Sequence, residues 1–201
     1  MHTIGDTITL GNGDLRVAPL GVGAWSWGDT LVWGYGEGYD KSDVAAAFHT
    51  SLNAGITLVD TAEFYGIGKS ERIVGQLARA TEQPIVIASK FLPYPWRLSA
   101  KSLRGALDAS LKRLQIDSLD LYQIHFPTPL LGIPALMDAM ADAVAEGKIR
   151  AVGVSNYSAA QMRTAHAALA RRGVPLATNQ VEYSLLQRAP ESNGVLDACR
   201  E

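Results

Sequence analysis

The chain has 201 residues, 47% of them hydrophobic, enough to bury one sizeable core, and residues 1–201 are expected to form a single domain. A formal net charge of −2 removes the electrostatic case for nucleic acid or an anionic membrane surface as partner. The one cysteine, Cys199, excludes an intrachain disulfide and fits a reducing, cytoplasmic compartment. No apolar run approaches the roughly 20 residues that span a bilayer, and Met1-His2-Thr3-Ile4-Gly5-Asp6 lacks the pattern of a secretory leader.

In chain order, residues 4–17 alternate around Gly11-Asn12-Gly13-Asp14 and predict a β-hairpin. Leu20-Gly21-Val22-Gly23 follows as a first core strand. The stretch 25–39 holds many glycines and aromatics with little periodicity and reads as a long loop, a kind usually functional or mobile. A helix over 43–53 leads through Gly55 to a strand over 58–61. Ser70 is expected to cap a helix running to Arg79, with Glu71 in its first turn at the positive end of the dipole. Pro84 stops it, and 85–89 is a continuous apolar strand of the kind buried on both faces.

Leu103, Leu107, Leu111 and Leu114 recur at helical spacing before a strand over 119–125. Met137, Met140, Ala141 and Val144 make the next stripe, which ends at Gly147 and gives way to a strand over 149–154. Ser158-Ala159-Ala160-Gln161 is a capping-box pattern that opens a helix to Arg172. A sixth core strand covers 176–182, and 191–200 begins another helix, in which Cys199 reads as a small apolar packing residue.

Strand–helix alternation of this regularity argues for a parallel sheet with right-handed crossovers. An open doubly wound sheet and a closed barrel compete. The doubly wound nucleotide fold usually carries G-x-G-x-x-G between its first strand and helix. Here Gly21-Val22-Gly23 runs instead into a tryptophan-rich loop, which favours the barrel. The count is six core strands, where a closed barrel has eight and typically about 250 residues.

Asp60, Tyr65, Lys90 and His125 each fall at the end of a predicted strand or in the loop after it. In a parallel α/β barrel those ends meet on the face where active sites lie. An acid, a phenol, an amine and an imidazole gathered there make a proton-transfer site. Lys90 can lower the phenol's ordinary pKa near 10 by favouring phenolate, and Asp60 can hold Lys90 in place. His125 can donate to a carbonyl oxygen and orient it towards Tyr65. None of the four can provide a hydride, so reduction would require a redox cofactor. Other readings stay open. Asp60 and Lys90 could be a structural ion pair, Tyr65 turn packing and His125 a rim histidine. Lys90 could also be a Schiff-base lysine of an aldolase-type barrel.

Asp60-Thr61-Ala62-Glu63-Phe64-Tyr65-Gly66, Ser89-Lys90, Gln123-Ile124-His125, Gly153-Val154-Ser155-Asn156 and Asn179-Gln180-Val181-Glu182-Tyr183 resemble, in order, the signatures of the aldo-keto reductases. The resemblance runs from about Leu10 to the last residue. It implies an (α/β)8 TIM-barrel fold, an NAD(P)H-dependent oxidoreductase and a small-molecule carbonyl substrate, with NADP(H) ahead of NAD(H). It assigns Tyr65 as general acid/base, Lys90 as modulator of its pKa, Asp60 as partner of Lys90 and His125 as orienting donor. Ser155, Asn156 and Gln180 would hold the nicotinamide carboxamide. Gly23 and Trp25 match the first-strand loop near cofactor and substrate. No metal is implied. Trp27, Trp33, Tyr94 and Trp96 are candidates either for an apolar substrate mouth or for packing.

The family pattern continues for two further strand–helix units. These carry an aromatic that stacks on the nicotinamide, the diphosphate loop and the site for an adenosine 2′-phosphate. The chain stops inside the helix after its sixth core strand, so a C-terminally incomplete barrel with weak cofactor binding is expected. A non-catalytic binding or regulatory subunit, or an inactive product, is the alternative.

Overall fold

The structure, a computed structural model, describes residues 7–11, 13–97 and 99–201. Strand β1 (Ile8–Thr9) pairs antiparallel with β2 (Arg16–Val17), Ile8 facing Val17, so the expected hairpin is present. Ile4 and Asn12, which the sequence pattern included in it, lie outside the described residues. Leu15 of the hairpin is buried with Ala88 and Leu121, and Leu58, Val86, Ala151 and Ala177 pack around them. Those residues belong to the early parts of core strands. The hairpin therefore stoppers the end of the sheet where its strands begin.

The core follows as β3 (Gly21–Gly23), helix α1 (Lys41–Asn53), β4 (Leu58–Asp60), α2 (Lys69–Arg79), β5 (Val86–Phe91) and α3 (Ala100–Leu114). It continues as β6 (Leu119–Ile124), α4 (Ile133–Ala145), β7 (Ile149–Ser155), α5 (Ala159–Ala170), β8 (Leu176–Gln180) and α6 (Val195–Arg200). All six core strands are parallel, in the spatial order β3-β4-β5-β6-β7-β8. A doubly wound sheet reverses its strand order at a switch point. This one never does, and that decides for the barrel type.

The sheet is also curled. Strands stand about 4.8 Å apart, so β4 and β8 would be roughly 19 Å apart in a flat sheet. Gln180 on β8 nevertheless donates from Nε2 to Asp60 Oδ2 on β4 at 3.1 Å. A half-barrel of six strands with side chains meeting across its hollow face is the result.

The helices pack on the outer face through the stripes the sequence predicts. Val44, Phe48 and Leu52 of α1 are buried at spacings of four. Leu103, Leu107 and Leu114 of α3 and Leu136, Met137, Met140 and Ala141 of α4 join the same cluster. Each of these side chains larger than alanine contributes about 1.5–3 kcal/mol through removal from water. Helices α2 and α3 approach so closely that a Cβ on Gly75 would lie 2.0 Å from the Leu114 carbonyl oxygen. Asp40 caps α1 and Ser158 caps α5, each in a reciprocal box with the residue three positions on.

Some expectations need correction. Ser70 does not cap α2. The N-cap is Gly68, without a side-chain cap, and Ser70 is fully buried one residue inside the helix. Its hydroxyl donates to the Ala24 carbonyl at 2.6 Å, so the 2.7 Å contact with Thr61 must use the Thr61 hydrogen. The expected helix over 191–200 is a single 3-10 turn (Ala189–Glu191) followed by α6. Cys199 lies in α6 but is exposed. Among the described residues, no helix is long and apolar enough to cross a membrane.

Candidate active site

The four groups singled out in the sequence meet at the strand ends opposite the hairpin. Asp60 is the last residue of β4 and Lys90 the next-to-last of β5. His125 directly follows β6, and its N–H donates to the Phe91 carbonyl at 2.9 Å, so strand pairing holds it in place. Tyr65 opens a 3-10 turn (Tyr65–Gly68) in which Gly66, Ile67 and Gly68 all have positive φ. Glycine accepts that region freely, but a β-branched residue such as Ile67 does not. The strained turn swings the Tyr65 ring back over the sheet, with Lys90 Nζ 5.0 Å from the ring centroid.

Lys90 is 1% exposed, and its three donors are all committed. Nζ donates to Asp60 Oδ2 at 2.6 Å, to the Thr61 carbonyl at 3.0 Å and to the Tyr65 oxygen at 3.3 Å. An ammonium has no acceptor. The phenol oxygen must therefore accept from Lys90, which leaves the phenol's own hydrogen uncommitted to that nitrogen. His125 meets Tyr65 edge to face at 5.7 Å and stacks on Phe126 at 4.8 Å. Two polar atoms here, Asp60 Oδ1 and His125 Nδ1, are buried without a hydrogen-bond partner among the described residues.

Burial governs the electrostatics. It lowers the Lys90 pKa, opposed by the Asp60 carboxylate. It pushes His125 down to about 4, helped by the charge of Lys90, so the imidazole is neutral at pH 7. The Tyr65 phenol is raised well above its ordinary value by burial and then by Asp60. The net direction is up even with Lys90 beside the phenol oxygen, because desolvation, which sequence spacing does not reveal, is the largest cause, and the resting group is a phenol.

Ser155 closes β7, Gln180 closes β8, and Asn156 follows Ser155 with φ +61°, a left-handed conformation that asparagine tolerates. The turn folds Asn156 back over the strand ends. Its Nδ2 donates to the His125 carbonyl at 3.0 Å and to Ser155 Oγ at 3.1 Å, and its backbone N–H to the Gln180 carbonyl at 2.9 Å. Ser155 Oγ donates to the same Gln180 carbonyl at 2.8 Å. Gly23 closes β3 opposite Asp60, with no atom within 4 Å of where a Cβ would stand. Trp25 is half exposed and stacks on Tyr65 at 5.8 Å, with Trp33 edge-on to it at 5.6 Å.

The other aromatics divide. Trp27 is 5% exposed, packs against Phe48 and belongs to the core, not to a mouth. Tyr94 and exposed Trp96 stack at 4.5 Å in the loop after β5. That loop is tied to the Tyr65 loop by a Glu63–Arg97 ion pair, in which Glu63 also accepts from the Leu92 N–H and Arg97 donates to the Leu92 carbonyl. Sequence reasoning missed this clamp, and it missed Gln123 and Thr178, which bond to each other at 3.0 Å and through Gln123 to Gln180. Polar residues inside otherwise apolar strands were the available signal.

Residues 19–201 match the profile of the Aldo/keto reductase family. The chain is 40% identical over 203 residues to pyridoxal reductase, chloroplastic, of Arabidopsis thaliana, covering 94% of this chain and 55% of that protein. It is 35% identical over 200 residues to 6-dehydroglucose reductase of Novosphingobium aromaticivorans, covering 94% and 62%. A crystal structure of a thermostable aldo-keto reductase with the inhibitor epalrestat superposes with a TM-score of 0.82 at 30% identity, over 96% of this chain and 68% of that one. The chain thus spans little more than half the length of these two curated relatives.

Proposed function

This chain belongs to the aldo/keto reductase family, and we propose that its open face reduces aldehydes and ketones with a nicotinamide dinucleotide, Tyr65 acting as general acid/base. One observation carries the reading. Lys90 spends its third N–H on the Tyr65 oxygen, which leaves the phenol proton free to leave. As charge builds on a substrate oxygen, Tyr65 gives it that proton, and Lys90 stabilises the phenolate left behind. Asp60 holds Lys90 in register. Neutral His125 can donate one hydrogen bond to the same oxygen without adding a second cation beside Lys90. In the oxidative direction the same groups take the proton back.

A bound reduced nicotinamide would supply the hydride that none of these side chains can carry. The residues present fit its carboxamide. Among the described residues no hydrogen bond reaches Asn156 Oδ1, and Gln180 keeps one N–H beyond its bond to Asp60, so one acceptor and one donor remain to meet it. Gly23 leaves room beside them, and the Trp25 face borders it. We take the dinucleotide as NADP(H) ahead of NAD(H) from the family resemblance, and residues 1–201 as one barrel-type domain. The names of the two relatives favour small aldehydes as substrates. A Schiff-base role for Lys90 is disfavoured, because attack on a carbonyl needs a free amine lone pair and this nitrogen has three acceptors around it.

The test is to mix the complete gene product with NADPH or NADH and a panel of aldehydes and ketones, and to follow the reduced-nicotinamide absorbance. Substrate-dependent consumption is the expected result. Dinucleotide binding without turnover of any carbonyl would favour a non-catalytic binding subunit instead.

A further inference from the structure

Strand register places Lys90, Gln123, Gly153 and Thr178 in one row across β5, β6, β7 and β8. Lys90 and Gln123 are buried at 1% and 2% exposure. Thr178 Oγ1 donates to Gln123 Oε1 at 3.0 Å, Gln123 Nε2 donates to Gln180 Oε1 at 3.3 Å, and Gln180 Nε2 donates to Asp60 Oδ2 at 3.1 Å. That carboxylate oxygen is the one that Lys90 also holds. Gly153 is the gap through which the chain passes. A Cβ there would stand 2.2 Å from Thr178 Oγ1 and 2.8 Å from Gln123 Cγ. The glycine that opens Gly153-Val154-Ser155-Asn156 thus has a physical reason besides backbone freedom.

The direction of the chain follows from chemistry. An ionised carboxylate only accepts, so Gln180 must turn its amide nitrogen to Asp60 and its oxygen inward. Gln123 must then meet that oxygen with its own nitrogen, and its oxygen is left for the Thr178 hydroxyl. A primary amide flips with almost no steric change, so its orientation rests on its partners. Held from both sides, Gln180 presents an N–H to the open face.

We propose that Gln123 and Thr178 are positioning residues, which through a one-way hydrogen-bond chain across Gly153 fix the Gln180 amide and spread the charge that Asp60 shares with Lys90. The proposal rests on the reading of this face as the reductase site. It extends that site two strands beyond the residues that touch the ligands. Breaking the chain frees Gln180 to leave Asp60, concentrates the carboxylate charge on Lys90 and raises the pH at which Lys90 titrates.

Two near-isosteric variants test it, Gln123→Met and Thr178→Val. The first readout needs no cofactor and no turnover: nitrogen-15 NMR of the Gln180 side-chain amide and a titration of Lys90 in the ligand-free protein. Each variant should speed exchange of the Gln180 amide protons by about tenfold, the equivalent of one lost hydrogen bond, and move the Lys90 titration upward. The double variant should do little more than Gln123→Met alone, because both changes cut the same chain. The pH–rate profile should move as well, because the charge on Lys90 acts on the Tyr65 phenol. Unchanged Gln180 exchange and Lys90 titration in both variants, or effects that add in full, would overturn the proposal. So would altered exchange with an unmoved pH–rate profile, which makes the row scaffolding only. The reductase reading itself fails on a different result, persistence of turnover without the Tyr65 hydroxyl.

Discussion

Ser89 and Lys90 are neighbours on β5 and point to opposite faces of the sheet, each into a buried charge network. On the outer face Ser89 Oγ donates to Glu71 Oε1 at 2.6 Å, and Arg113 pairs with Glu71 Oε2, so both oxygens of a fully buried carboxylate are used. Arg113 in turn donates to Ser110 at 3.0 Å. That network ties α2, α3 and β5 together and uses both oxygens of its carboxylate within the fold. On the inner face Asp60 Oδ1 and His125 Nδ1 have no partner among the described residues, and the Tyr65 oxygen accepts from Lys90. Buried polar groups are normally satisfied. We propose that the first network is a brace and the second a site.

The comparison predicts that the two networks fail differently. Glu71→Ala leaves Arg113 and Ser89 facing a cavity and should cost about 3 kcal/mol of stability by urea denaturation, with turnover per folded molecule retained. A cost below about 1 kcal/mol would remove the brace from the account. Lys90→Met should do the reverse. Turnover falls on the order of 10²-fold, and the alkaline limb of the pH–rate profile moves up because Tyr65 loses its cation. The stability loss should be smaller than for Glu71→Ala, since Asp60 keeps the Gln180 donor and is partly exposed. An unchanged profile would contradict the coupling of Lys90 to Tyr65.

Acid sharpens the comparison further. His125 has a folded-state pKa of about 4, below its ordinary 6.5, so the unfolded chain binds the extra proton first. Its contribution is complete above about pH 6.5 and is lost as pH falls towards 4. Between pH 7 and pH 4.5 the wild type should lose about 2 kcal/mol more than His125→Asn, measured by denaturation at the two values. Equal losses would mean that the imidazole is not held neutral by burial.

Much of this was legible in the sequence, because helical stripes and strand-end polar residues are local patterns. The hairpin, six core strands and the meeting of Asp60, Tyr65, Lys90 and His125 follow from them. Ser70 departs from its pattern for a physical reason. A serine ahead of an apolar run resembles a cap, yet Gly66 to Gly68 turn the chain into α2, and Ser70 is drawn inside to Ala24. The row of Lys90, Gln123, Gly153 and Thr178 was invisible because register between strands is not a local property. The upward direction of the Tyr65 shift is not legible in the sequence, because neighbours can be inferred from motifs, whereas desolvation depends on packing around the whole ring.

The central claim is that Tyr65 delivers the proton. Tyr65→Phe in the complete protein removes one oxygen and little else, keeping the ring that packs against Trp25 and His125. Carbonyl reduction by this variant, measured with saturating reduced dinucleotide, should fall about 10² to 10⁴-fold, while dinucleotide affinity stays nearly intact. Retention of more than about half the turnover, against that expected loss, would contradict the account.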